Sequence, residues 1–225
     1  MKHFVVGLGE IGTAIQRVFR CQGVDKKYLQ LPKKVDVLHI CIPFSKTFNK
    51  IVKSYQKTLS PKYTIVHSTV PIGTCDNLNA LHAPIRGKHP NLFTSILVFD
   101  MFVGGTDSEE IATEFASYGI HCIPVDNTRD TEALKLWDTT QYGVMILLNK
   151  EMHRFCKQHG LDFDVVYSLA NETYNAGYLA MNCPQFMRPY LDHMPGKIGG
   201  HCVVNNANLL DTESAKRILK YEETV

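Results

Sequence analysis

The chain has little that would tie it to a membrane, to a nucleic acid or to an oxidising compartment. No apolar run approaches the roughly 20 residues needed to span a bilayer. Basic residues form no long block, and 24 Lys and Arg against 22 Asp and Glu leave a net charge of only +2. Neither nucleic acid nor a membrane surface is therefore an expected partner. Cysteine occurs seven times, an odd number with no C-x-x-C pair. A disulfide framework is not expected, and free thiols in a reducing cytoplasm fit better. His67, His82, His89, His193 and His201, with Cys75 and Cys202, are metal-ligand types, but no H-x-x-x-H spacing relates them, and no metal is expected. The N-terminus enters an apolar strand at once, which leaves no room for a signal peptide. There is no internal repeat and no low-complexity segment. With 44% hydrophobic and 20% charged residues, the 225-residue chain reads as a soluble globular protein of one large or two small domains.

What is present is concentrated at the start. Phe4-Val5-Val6 runs into Gly7-Leu8-Gly9-Glu10-Ile11-Gly12, a G-x-G-x-x-G turn between a strand and a helix. In that context the first glycine makes the tight turn and the second lets backbone approach a pyrophosphate. The third lets helix and sheet pack closely. The helix beginning near Ile11 aims its free N–H groups and positive dipole end at the phosphates. A dinucleotide site is expected from Gly7, Gly9, Glu10, Ile11 and Gly12, joined by Pro43, Ser68 and Thr69 from later loops. The acidic residue that holds the adenosine ribose in such folds has one candidate, Asp25, which falls early and reads equally well as a turn residue. Lys26 and Lys27 would instead meet a 2′-phosphate. NAD is the expected cofactor and NADP the alternative.

Short apolar runs at Phe4–Val6, Val35–Ile42, Tyr63–His67, Met101–Val103 and Ile120–Val125 read as buried parallel strands. Helical stretches at Ile11–Phe19, Ser45–Thr58 and Ser108–Tyr118 alternate with them. The pattern predicts an α/β fold: a Rossmann-type doubly wound parallel sheet over residues 1–128. A smaller all-α domain, residues 129–225, would be built on one long helix over 131–159, with Gly160 just past its end. Val144–Leu148 is apolar all round, which predicts packing against another domain or subunit and so a homodimer. Asp162 or Asp164 is expected to cap the next helix. Pro184, Pro189 and Pro195 punctuate a loop-rich stretch, and a last helix is expected over 206–220.

Several segments line up in order: Ile40-Cys41-Ile42-Pro43, Ser68-Thr69-Val70-Pro71-Ile72-Gly73-Thr74, Glu132 with Lys135, and Pro195-Gly196-Lys197-Ile198-Gly199-Gly200-His201-Cys202. Together they resemble the UDP-glucose/GDP-mannose dehydrogenase family, in particular its UDP-N-acetyl-hexosamine branch. The resemblance covers roughly residues 1–210. It implies an N-terminal NAD domain and a central helical dimerisation domain. The family's C-terminal nucleotide-sugar domain has no counterpart in this sequence. It also implies a four-electron oxidation of a sugar alcohol, with Cys202 matching the family's aldehyde-trapping cysteine. Lys135 matches its oxyanion-stabilising lysine, and Thr69 the threonine near substrate and nicotinamide. The departures are specific. The family's asparagine four residues after the lysine is Thr139, its S-P-E glutamate is Ile85, and its aspartate four residues after the cysteine is Asn206. Without those carboxylates nothing obvious activates water for the hydrolytic half.

The residues also admit plainer readings. Cys202 is equally a small buried hydrophobe, Lys135 a surface partner of Asp138, and Thr69 a loop residue satisfying backbone groups. Arg86, Thr139, His201 and Asn206 are the substrate-side candidates. Arg86, Lys88 and Arg188 are the cations suited to an anionic group, a nucleotide sugar or another anionic sugar among the options. Three functions follow: an NAD(P)-dependent oxidoreductase acting on an alcohol at a cleft between the two domains, a non-catalytic dinucleotide-binding or assembly module, and a hydroxyacid-dehydrogenase-like enzyme. Cys202 separates them, since only the nucleotide-sugar reading gives it a covalent role.

Overall fold

The computed structural model describes residues 1–25, 31–87, 89–198 and 201–224. The chain divides into two compact units, Met1–Lys135 and Leu136–Val225.

The first unit is a seven-stranded sheet of order β2-β1-β3-β4-β5-β6-β7. Its strands are β1 His3–Val6, β2 Gln22–Val24, β3 Val37–Ile40, β4 Tyr63–Val66, β5 Leu81–His82, β6 Met101–Gly104 and β7 Cys122–Val125. All neighbours are parallel except β5 and β6, which meet antiparallel at His82 and Gly104. The expected doubly wound sheet is thus present with one reversal. The segment between β5 and β6 holds a helix, α3 (Leu92–Val98), that packs beside α1 (Glu10–Phe19). β2 ends just before Asp25, where the ribose-binding position of the motif requires a strand end, whereas β5 and α3 are too short to show a period in the sequence.

β1, β3 and β4 are buried along their whole length, as continuous apolar strands covered on both faces must be. Alternate residues feed two cores. Val5, Val37 and Ile65 pack with Ile15 and Phe19 of α1 and with Ile111 and Phe115 of α4 (Ser108–Ala116). Phe4, Val6, Leu38 and Ile40 pack on the other face with Phe48, Val52 and Leu59 of α2 (Phe48–Leu59). β2 and β3 lie on either side of β1, so the turn after β1 opens at the point where the strand order reverses, the usual ligand crevice of such sheets.

α5 runs from Thr128 to His159, and the division between the units falls within it. In the second unit, a π-helical turn (Asp164–Leu169) leads into α6 (Ala170–Ala180). Asp162 caps this stretch, its Oδ1 accepting the N–H of Asp164 at 2.9 Å. The single helix expected over 206–220 is two helices, α7 (His201–Ala207) and α8 (Glu213–Thr224). Thr212 separates them: its hydroxyl accepts the N–H of Ala215 at 3.3 Å and its carbonyl that of Lys216 at 3.0 Å, which starts a new helix. Val203 of α7 and Ile218 of α8 close on Gly143 of α5, where a Cβ would lie 2.6 Å and 2.7 Å from their side chains. Leu147, Ile198, Val203, Ala207, Ala215 and Ile218 form this unit's core.

Candidate functional site

The glycine turn behaves as its motif requires. Gly7 has φ +93°, and a Cβ there would lie 2.8 Å from the Cys41 carbonyl group. A Cβ on Gly12 would lie 1.7 Å from the Gly7 oxygen, so α1 can approach β1 only because the third glycine has no side chain. Gly9 is different: a Cβ there meets nothing within 4 Å. Its absence leaves room for something that is not protein. That room belongs to a cleft of about 670 Å³ lined by Gly7, Gly9, Glu10, Ile11, Asp25 and Pro43, with Tyr55 and His89 among its other walls. Six of the sequence-derived cofactor residues thus come together. Asp25 follows β2 directly and is exposed, and His89 Nδ1 meets the Glu10 carboxylate at the cleft. Lys26, Lys27 and Lys88 lie outside the described residues.

Ser68 and Thr69 sit on the loop after β4. The buried Ser68 hydroxyl donates to the Ile42 carbonyl at 2.6 Å, tying this loop to the one that carries Pro43. Thr69 is half-buried. The next residues are held from α5. Glu132, fully buried, accepts the N–H of Gly73 at 2.5 Å and of Cys75 at 2.8 Å. Burial raises its carboxyl above the usual range, with the two amide bonds opposing. The role of Glu132 is thus to shape the Pro71–Cys75 turn. His82 acts on the same loop from β5, donating from Nε2 to the Ser68 carbonyl at 3.2 Å, with Nδ1 3.0 Å from the Thr131 hydroxyl. Burial pushes it down to about 3. The sequence marks His82 only as a metal-ligand type, and its apolar neighbours Leu81 and Ala83 are the sign of a buried, structural place.

Lys135 donates from Nζ to the Ile85 carbonyl at 2.9 Å. The Ile85 side chain is core, so position 85 meets the lysine through its backbone oxygen and brings no carboxylate to it. Arg86, next in line, lays its guanidinium over the Phe102 ring at 5.8 Å.

In the second unit, Thr139 and Asn206 are partners. The buried Asn206 amide donates to the Thr139 hydroxyl at 3.0 Å, and that hydroxyl donates to the Leu136 carbonyl at 3.1 Å. Two of the three departures from the resembled family's pattern therefore form one neutral hydrogen-bonded pair. Cys202 is exposed at the start of α7. Gly199 and Gly200 lie outside the described residues, as does the His201 side chain. The preceding loop is clamped by α5: Asn149 donates to the Leu191 carbonyl at 2.8 Å, and Lys150 donates to the Met194 and Gly196 carbonyls at 2.5 and 2.7 Å. Arg188 is exposed and stacks on Tyr174 at 3.4 Å. None of the seven cysteines is in a disulfide. Among the described residues no three His, Cys, Asp or Glu side chains converge as a metal site, and no helix is long and apolar enough to cross a membrane.

No family model matches the sequence and no curated protein matches it. Solved structures do match the fold. UDP-D-ManNAc dehydrogenase from Pyrococcus horikoshii superposes with a TM-score of 0.78 at 17% identity, covering 99% of this chain and 68% of that one. UDP-N-acetyl-mannosamine dehydrogenase Cap5O from Staphylococcus aureus gives 0.75 at 18%, covering 100% and 68%. 3-Hydroxyisobutyrate dehydrogenase from Mycobacterium tuberculosis gives 0.73 at 14%, covering 99% and 92%. The fold is shared with UDP-sugar dehydrogenases and with 3-hydroxyisobutyrate dehydrogenase alike, at identities that speak for architecture alone.

Proposed function

We propose that this chain is a nicotinamide-dinucleotide-dependent oxidoreductase acting on an alcohol, related to the UDP-sugar 6-dehydrogenases. One observation carries the reading: the open space at Gly9, inside a cleft at the strand-order reversal, beside a loop held in place by Ser68, His82 and Glu132. The cleft residues fit the cofactor. Gly7, Gly9 and Gly12 with the α1 N-terminus would hold its pyrophosphate, and Asp25 a ribose, with NAD preferred and NADP the alternative. A dinucleotide held by these residues would supply the hydride acceptor for the alcohol carbon. Thr69 would orient the substrate. Lys135, steadied by the Ile85 carbonyl, would hold the alcohol oxygen as it loses its proton. Arg86, Thr139, His201 and Asn206 are proposed to bind substrate, a nucleotide sugar or another anionic sugar. Cys202 is proposed as the aldehyde trap.

The neutral Thr139–Asn206 pair and Ile85 limit this chemistry to its first half. The loss of one oriented acid–base group costs about 10²–10⁴ in rate. We therefore expect one NADH per substrate consumed, or a stable adduct on Cys202, when nucleotide sugars, sugar phosphates and hydroxy acids are screened. Lys135→Ala should abolish reduction, and Cys202→Ser should abolish the adduct. Two NADH with free acid released would refute the shortened chemistry. No NADH from any alcohol despite tight cofactor binding would make this a non-catalytic dinucleotide module. The 92% coverage of 3-hydroxyisobutyrate dehydrogenase favours a second reading, a hydroxyacid substrate. In that case Cys202→Ser would leave turnover unchanged.

We further propose a homodimer in the cytoplasm, where seven thiols stay reduced. Trp137, Leu148 and Phe155 are about half exposed, at 46%, 54% and 53%, and fall on one face of α5 at helical spacing, an apolar stripe suited to a symmetric partner. Sedimentation at micromolar concentration should give a dimer, and a monomer would remove the proposal.

A further inference from the structure

Three histidines make a continuous ladder on the face of the sheet that α1 and α4 cover. His3 Nδ1 lies 2.9 Å from His39 Nε2, and His39 Nδ1 lies 2.8 Å from His67 Nε2. The rings stack at 5.2 and 5.1 Å between centroids. At one end His67 Nδ1 is 2.6 Å from the Ala83 carbonyl, and at the other His3 Nε2 is 3.0 Å from Glu114 Oε1. Sheet register produces the line. His3 opens β1, His39 lies in β3 and His67 follows β4, all at odd positions with Val5, Val37 and Ile65. Phe19 and Phe115 close over them.

The protons can be counted. Four contacts need four N–H groups, and three neutral imidazoles carry three. Both ends are acceptors, a carbonyl and a carboxylate. The neutral ladder is therefore one proton short, and one added proton completes it. We propose that the ladder is a single-proton device: neutral, it donates in one direction toward Ala83, and on acidification it takes up one proton at the His3–Glu114 end, closing the fourth hydrogen bond.

The position of the gap follows from burial. The Ala83 carbonyl is fully buried, and leaving it against a lone pair would cost a buried hydrogen bond. The Glu114 side chain keeps 15% of its surface and has a second donor in the Met1 amino group at 2.9 Å. His39 and His67 have no carboxylate beside them, and burial holds both low. Burial lowers His3 too, but there the Glu114 carboxylate opposes it. The other groups facing His3 are the Met1 amine, Asp36 before β3 and the Tyr118 ring edge; His82 stands beside His67. His67 is thus a positioning residue. Its Nδ1–H fixes Ala83, two residues before the carbonyl that holds Lys135. That last link rests on the role proposed for Lys135, whereas the proton count stands without it.

The test is nitrogen NMR of the full chain with ¹⁵N-labelled imidazoles, followed from about pH 8 to about pH 5. His39 and His67 should stay neutral and protonated on Nδ1 while His3 alone gains a proton, on Nε2. In Glu114→Gln the side-chain amide can donate to Nε2, so His3 should remain neutral with Nδ1–H over the same range, and the titration should take up one proton fewer. Neutral His39 or His67 protonated on Nε2, or a Glu114→Gln chain titrating like the wild type, would overturn the proposal. Neither readout uses enzyme turnover, so failure here and failure of the oxidoreductase reading are separable.

Discussion

Lowering the pH from about 7 to about 5 is expected to remove about 4 kcal/mol from the stability of the first unit. The cause is buried neutral histidine. Burial moves His67 from 6.5 down to about 4 and His82 from 6.5 down to about 3, and holds His39 well below its ordinary value. In the unfolded chain each takes a proton from about pH 6.5 downward. The folded state resists, so stability is full above that pH and falls as the pH drops toward the folded values. At about pH 5 His67 and His82 each forgo about 2 kcal/mol, and His39 adds to this. That is a large part of the 5–15 kcal/mol typical of a domain. Urea unfolding at a series of pH values measures it. A midpoint unchanged between about pH 7 and about pH 5 would show that these imidazoles are protonated or solvated in the fold.

The second large effect separates two glycines of one motif. Gly9→Val should leave a folded protein, because its Cβ enters open space and its backbone, at φ −71° and ψ −165°, is extended with a negative φ and does not require glycine. The loss of a favourable helix cap costs about 1 kcal/mol. The same side chain occupies the place proposed for the pyrophosphate, and NADH affinity should fall by about a hundredfold or more, roughly 3 kcal/mol. Gly12→Val should do the reverse and prevent folding, since its Cβ would sit 1.7 Å from the Gly7 oxygen. NADH fluorescence titration and a denaturation curve on both variants decide the matter. Equal NADH affinity in wild type and Gly9→Val would remove the dinucleotide site.

Much of the first unit was legible because its strands are continuous apolar runs and its first turn is a motif with a mechanical reason for each glycine. The long helix was legible too, its Thr128–His159 span bracketing the 131–159 expected. The end of the chain was misread. Leu209 and Leu210 carry the apolar period across residues 206–220, and only the hydrogen bonds of Thr212 show that two helices meet there. Thr139 and Asn206, two of the three departures from the resembled family's pattern, read in the sequence as isolated substitutions. Their relation does not show there, because they are 67 residues apart and become partners only when α7 packs on α5.

What the sequence determined by itself was the class of fold and the place of the dinucleotide turn, since both rest on local pattern: apolar period, glycine spacing and strand-to-helix order. The tertiary structure decided how the loops around that turn are held. Glu132 reaches back 59 and 57 residues to the Gly73 and Cys75 amides, and His82 reaches the Ser68 carbonyl. The histidine ladder joins positions 36 and 28 residues apart. Such contacts have no sequence period to betray them. The ladder exists because parallel register puts the odd-numbered residues of neighbouring strands on one face, within reach of each other, and all these contacts exist because burial obliges polar atoms to find a partner.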